Sequence, residues 1–242
     1  MTSTINREEI QKFSKLADEW WDAEGKFKPL HMFNPIRIEY ILDTCSSHFE
    51  LNKSNRTPLK NLKILDIGCG GGLISEPMCR LGAEVTGIDA SEKNIKIASI
   101  HANQNDLNIK YLNQAPENMN EEKKFDVILN LEVVEHVENL DLYLKSCSKL
   151  LKKNGLMFTA TINRTFISYI KAIIGAEYVL RWLPIGTHDW NKFLRPEELE
   201  KKLVELNLSV KDIKGLSFNP ILNSWKKTKN LSVNYIIAVK KD

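Results

Sequence analysis

Leu65-Asp66-Ile67-Gly68-Cys69-Gly70-Gly71-Gly72 runs off the end of one apolar segment, and Asp89 closes the next. Together they spell strand, glycine turn, helix, second strand and terminal acid, the pattern of a nucleotide-binding α/β unit. Glycine lacks Cβ, so it enters positive φ freely and lets a ligand press against the backbone. An acid at the end of the second strand accepts hydrogen bonds from a ribose diol. Asp66 stands just ahead of the glycines, where the pyrophosphate of a dinucleotide would approach. A carboxylate there repels phosphate and suits a cationic sulfonium with an amino-acid tail. The residues therefore point to S-adenosylmethionine (SAM), with Asp66, Gly68, Gly70 and Asp89 as candidate contacts, rather than to a nicotinamide dinucleotide.

Working outward, strand and helix patterns alternate. Strands are expected at 62–67, 84–88, 109–112, 125–131, 156–162, 208–213 and 233–239. Helices are expected at 73–81, from Ser91 to His101, at 140–151 and at 196–206. This alternation predicts a Rossmann-like α/β fold with a seven-stranded, mostly parallel sheet. The last two strands are joined by a loop rather than a crossover helix, so the last is expected to be antiparallel. Upstream, Ile10, Phe13, Leu16 and Trp20 have helical spacing. Residues 22–35, with Gly25, Pro29 and Pro35, read as a turn region, residues 36–49 as a second helix and residues 51–61 as a linker. The expectation is one domain over 1–242, with a helical cap over 1–50 and an apolar helical insertion over 163–190, before the sixth strand.

Bulk composition narrows the class. The 242 residues are 43% apolar and 27% charged, as in a soluble globular protein. A net charge of +3 gives no case for nucleic-acid binding. The local run of Lys226, Lys227, Lys229, Lys240 and Lys241 reads as a solvated face. Four cysteines without a Cys-x-x-Cys pair argue against a zinc cluster and suit reduced thiols in a cytosolic setting. Cys69 reads as a small residue packing beneath the cofactor. The first residues, with Glu8 and Glu9, have the pattern of neither a secretory signal nor a transit peptide. No charge-free apolar stretch is long enough to span a bilayer.

Two further segments carry chemistry. Glu132-Val133-Val134-Glu135-His136 follows the fourth strand, and strand ends border the ligand crevice of an open parallel sheet. Two carboxylates and an imidazole can hold a divalent ion, oxygen-rich ligation favouring magnesium or manganese. His136 can instead serve as general base. A third reading has Glu135 capping a helix and His136 merely packing. Residues 166–185 are strongly apolar, but Lys171, Glu177 and Arg181 make spanning costly. The segment reads either as a buried cap or as a membrane-interface helix. Gly186-Thr187-His188-Asp189-Trp190 after it lines a substrate mouth or caps the next helix.

Trp20-Trp21-Asp22, Phe27-Lys28-Pro29-Leu30-His31, Asn34-Pro35 with Arg37, Asn163-Arg164, Gly175-Ala176-Glu177-Tyr178, Gly186-Thr187-His188-Asp189 and Phe218-Asn219-Pro220 resemble the ubiquinone-biosynthesis O-methyltransferases. The resemblance covers nearly the whole chain. It implies a class I SAM-dependent enzyme that methylates ring hydroxyls of a 2-polyprenyl-6-hydroxyphenol and of 3-demethylubiquinol. It implies cofactor contacts at Arg37, Gly68, Asp89 and Leu131, and a divalent ion, Mg²⁺ among the candidates, at Glu132, Glu135 and His136. His136 and Glu135 are then the candidate catalytic residues. It further implies that residues 166–185 touch membrane lipid, which places the protein in the cytoplasm against the inner membrane of a bacterium, with other ubiquinone-biosynthesis proteins as possible neighbours. Three rival readings remain: a quinone C-methyltransferase, a nicotinamide-dependent reductase, and a non-catalytic SAM-binding scaffold.

Overall fold

The computed structural model describes residues 3–170, 189–219 and 222–242. Among them an eight-stranded sheet runs in the order β3-β2-β1-β4-β5-β8-β6-β7. Its strands are β1 (Lys63–Ile67), β2 (Glu84–Asp89), β3 (Lys110–Asn113), β4 (Phe125–Leu131), β5 (Leu151–Ile162), β6 (Leu208–Asn219), β7 (Ser224–Thr228) and β8 (Asn234–Lys241). β1 pairs in parallel with both β2 and β4, β2 with β3, and β4 with β5. β8 is antiparallel to β5 and β6, as the short final connection predicts. Strand order reverses between β1 and β4, so a crevice opens at their carboxyl ends.

β7 is one strand more than the sequence suggests. Ser224-Trp225-Lys226-Lys227-Thr228 is too polar to read as a buried strand, but it forms a hairpin with β6 at the sheet edge, where lysines guard against further pairing. Lys227 is not a solvated bystander. It bridges Glu39 and Asp43, each at 3.0 Å, and ties the hairpin to a helix.

That helix, α2 (Lys28–His48), corrects the expected turn at 22–35. It begins well before Pro35 and carries it internally. Proline removes one helical hydrogen bond. Packing outweighs that loss, because Phe33, Asn34, Arg37, Tyr40, Ile41 and Cys45 are buried along the helix. Phe33, Tyr40 and Ile41 join one apolar layer with Val127, Leu129 and Phe158. The opposite layer holds Ile128, Met157 and Ile237 against α5 (Leu140–Leu150) and α7 (Pro196–Val204).

Before α2 comes α1 (Arg7–Leu16), whose N-cap Asn6 accepts from the Glu8 and Glu9 amides. α3 (Ser75–Arg80) follows the glycine turn, and Gly82, at φ +97°, ends it. α4 (Glu92–Gln104) is capped by Ser91, as expected. α6 is the short Phe166–Ser168 turn. Most of the apolar insertion, all of Gly175–Tyr178 and of 186–188, and Pro220 lie outside the described residues.

Candidate active site

A cavity of about 870 Å³ lies over the ends of β1 and β4. Asp66, Gly68, Gly70, Asp89, Leu131, Arg37, Glu132 and His136 all line it. Residues that the sequence marks separately, up to about a hundred positions apart, thus share one space.

At one end sits the glycine turn. Asp89 Oδ2 accepts from the Gly70 amide at 3.0 Å, and Oδ1 accepts from the Ser91 amide at 2.7 Å. The acid thereby fixes the turn and keeps lone pairs for a diol. Burial raises its carboxyl above the ordinary range, against the pull of these N–H donors. Asp66 accepts from the Ser75 hydroxyl at 2.6 Å. Burial pushes Asp66 up to about 7; the Ser75 bond opposes this, and the charge of Asp89 adds to it. An arriving cation would favour its ionised form.

The Trp-Trp pair explains itself against this turn. A Cβ on Gly70, at φ +54°, would meet the Trp20 ring at 2.5 Å. Trp20 stacks on Phe27 with centroids 3.8 Å apart and donates to Asn94 Oδ1 at 3.0 Å. Trp21 donates to the Gly71 carbonyl at 2.9 Å and stacks on His101. The N-terminal cap is therefore keyed directly onto the glycine turn.

Arg37 is 2% exposed. Its guanidinium donates to Asn34 Oδ1 at 3.2 Å, lies 3.6 Å over the Phe33 ring, and ion-pairs with Glu132. Its Nε is buried with no partner. Burial lowers the Arg37 pKa, and the Glu132 and Glu135 carboxyls oppose that. Glu132 sits at φ +56° just past β4, held by its amide bond to the Ala160 carbonyl at 2.9 Å.

His136 Nδ1 lies 2.9 Å from Glu9 Oε2. With Nδ1–H donating to the carboxylate, Nε2 is left as acceptor. The His136 hydrogen bond, outweighing burial and helped by Lys12, holds the Glu9 carboxyl down at about 2. Glu9 was not legible as a site residue, since it stands 127 positions from its partner. α1 is pinned across the cavity by Thr4, which donates its amide and hydroxyl to Glu117 at 2.8 Å each, and by Asn6, which donates to Glu138 at 3.0 Å.

Glu135 departs from expectation. It is 3% exposed, is not among the cavity-lining residues, and neither carboxyl oxygen has a hydrogen-bond partner. Burial, with the nearby charge of Glu132 adding, raises its pKa well above the carboxylate range. Glu135 is buried away from the cavity that Glu132 and His136 line. The proposed ion set therefore does not assemble: Glu132 faces Arg37, His136 faces Glu9, and Glu135 faces inward. Among the described residues no three His, Cys, Asp or Glu side chains form a metal-holding group. Asp189 caps the Trp190–Lys192 turn, the plainer of its two readings.

The glycine turn, buried Asp66, half-buried Asp89 and a cavity-lining arginine fit SAM. A family profile described as a methyltransferase domain matches residues 65–159. The fold is shared with magnesium protoporphyrin IX methyltransferase from Synechocystis PCC 6803, with bound SAH, at a TM-score of 0.67 and 16% identity over 96% of this chain and 94% of that one. It is also shared with a possible histamine N-methyltransferase from Thermotoga maritima, at a TM-score of 0.65 and 17% identity, covering 97% and 100%. The fold is that of the class I SAM-dependent methyltransferases. The ubiquinone biosynthesis O-methyltransferase of Pelagibacter ubique is 60% identical over 97% of both chains. That of Bartonella tribocorum is 50% identical over 99% of this chain and 97% of its own. The chain belongs to the ubiquinone biosynthesis O-methyltransferases.

Proposed function

We propose that the enzyme methylates ring hydroxyls of two polyprenylated acceptors, a 2-polyprenyl-6-hydroxyphenol and 3-demethylubiquinol. The observation that carries this reading is the two-ended cavity, with the glycine turn and its acids at one end and the aromatic side chains of Phe33, Phe218 and Trp225 at the other. SAM, when bound, supplies a methyl on sulfonium; the acceptor oxygen displaces the thioether, forming the O–CH₃ bond as the S–CH₃ bond breaks. Asp89 holds the ribose diol. Gly68 and Gly70 let the amino-acid tail lie against the backbone, Asp66 offsets its positive charge, and Leu131 gives an apolar contact. Arg37 pairs with the tail carboxylate. His136 Nε2 takes the phenol proton, and Glu9 holds the imidazole in that tautomer. Such general-base assistance contributes roughly 10²–10⁴-fold.

The acceptors are lipids, so we place the enzyme at the cytoplasmic face of the inner membrane of a bacterium, with the described start of the apolar insertion, residues 166–170, against lipid. Phe166 is 74% exposed, and Ile167, Tyr169 and Ile170 follow it at the surface. Among the described residues no helix is long and apolar enough to cross a membrane. Peripheral burial of apolar surface supplies the attachment.

The test is methyl transfer from labelled SAM to a short-prenyl catechol, with mass analysis of the product. An O-methyl catechol supports the reading; a C-methyl product, or no product with SAM binding intact, refutes it.

A further inference from the structure

The aromatic side chains of the cavity have an order of their own. Phe33 and Trp225 stack with centroids 3.9 Å apart and planes 24° apart. Phe218 follows Trp225 at 5.5 Å. The Arg37 guanidinium lies 3.6 Å from the Phe33 centroid. An aromatic row thus starts at Arg37, beside Glu132, and ends on the β6–β7 hairpin. Leu216 and Ile170 line the same space. Small-molecule pockets commonly hold roughly 300–1,000 Å³. At about 870 Å³ this one has room for a nucleoside cofactor and a second, apolar body.

The row also points outward. Leu222, near the hairpin turn, is 71% exposed, and Ile170 is 43% exposed while still lining the cavity. An apolar ligand laid along the row would therefore emerge beside surface that is itself apolar. A hydroxylated ring alone needs no such path, whereas a long hydrocarbon chain attached to the ring does.

We propose that Phe33, Trp225, Phe218, Leu216 and Ile170 form the subsite for the first isoprenoid units of the acceptor tail, which leaves the protein between the 166–170 segment and the β6–β7 hairpin. The proposal rests on the polyprenyl-acceptor reading above. The planar C=C groups of the tail lie against Trp225 and Phe218, with Phe33 held behind them between Arg37 and Trp225, and the branching methyls fill the space towards Leu216 and Ile170. The tail then fixes the ring in front of the bound methyl donor, so prenylation is read by contact area rather than by hydrogen bonds. β7, absent from the sequence-level strand pattern, exists here to deliver Trp225.

The test compares a bare catechol with one carrying two isoprenoid units, using Trp225→Ala, Trp225→Leu and Phe218→Ala. For the prenylated acceptor KM should rise about tenfold or more, a loss of about 1.4 kcal/mol per tenfold. KM for the bare catechol and the Kd for SAM should stay within about twofold of the parent enzyme. Equal losses on both acceptors, or none on either, overturn the subsite. Melting temperature and SAM Kd identify a misfolded variant, in which case the conservative Trp225→Leu decides. If the parent enzyme methylates neither catechol, the acceptor reading has failed on its own. The subsite is then judged by farnesol quenching of tryptophan fluorescence: quenching lost in Trp225→Leu supports it, and quenching unchanged overturns it.

Discussion

Glu132→Gln should uncover how much of the site's stability rests on one ion pair. Arg37 is 2% exposed, and its charge is met by Glu132 and by a single neutral acceptor, Asn34. Removing one partner of a buried pair costs about 3–5 kcal/mol when the other stays buried. The Glu132 side chain is 21% exposed, which moves the expectation to the low end, about 2–3 kcal/mol. A chain of this length loses about 2–4 °C per kcal/mol, so melting should fall by about 4–12 °C. The reciprocal change, Arg37→Met, should cost less, because Glu132 can turn to water. Added SAM brings a carboxylate of its own to Arg37. It should therefore raise the melting temperature of Glu132→Gln more than that of the parent enzyme. Differential scanning fluorimetry with and without SAM reads both effects. A Glu132→Gln melting temperature within 2 °C of the parent, or a SAM-induced rise no larger than the parent's, would refute the reasoning.

Other perturbations follow from the same contacts. Asp66 titrates at about 7 without ligand, and a cationic cofactor prefers it ionised, so SAM affinity should rise about tenfold from pH 6 to 8. Titration calorimetry should show proton release on binding, and Asp66→Asn should flatten the profile. Glu9, held down at about 2 against an ordinary 4.5, contributes stability that is present above pH 4.5 and is lost as pH falls towards 2. Glu9→Gln should remove that part of the acid sensitivity and lower kcat with little change in SAM Kd; an unchanged kcat would free His136 from its proposed partner. Gly70→Ala forces a Cβ to within 2.5 Å of the Trp20 ring at a positive φ, so SAM affinity measured calorimetrically should drop at least tenfold.

The donor end of the site was legible because its logic is local. The glycines, Asp66 and Asp89 lie within one strand-turn-helix-strand unit, and their meeting at the cavity follows from their place at the strand ends. Ser91 as a cap and the antiparallel last strand were equally local inferences. Glu135 was not legible. After Glu132 the backbone takes a left-handed step, so alternation along 132–136 says nothing about which side chain meets the cavity. The Glu9–His136 contact and the aromatic row join chain segments 127 and 192 positions apart, a relation set by tertiary packing. Pro35 misled for a related reason: a local breaker was overridden by the burial of its neighbours.

The matched methyltransferase profile covers residues 65–159, yet much of the cavity wall lies outside those bounds. The glycine turn, Asp66, Asp89 and His136 occupy the middle of the chain, whereas Glu9, Phe33, Arg37, Ile170 and Trp225 come from the flanks. The molecule is in this sense divided into an engine and its fittings. On the acceptor reading proposed above, a change of acceptor tail would fall mainly on the flanks. Conversely, a fragment cut at the profile's borders would keep the glycine turn and lose the roof, the arginine and the aromatic row together.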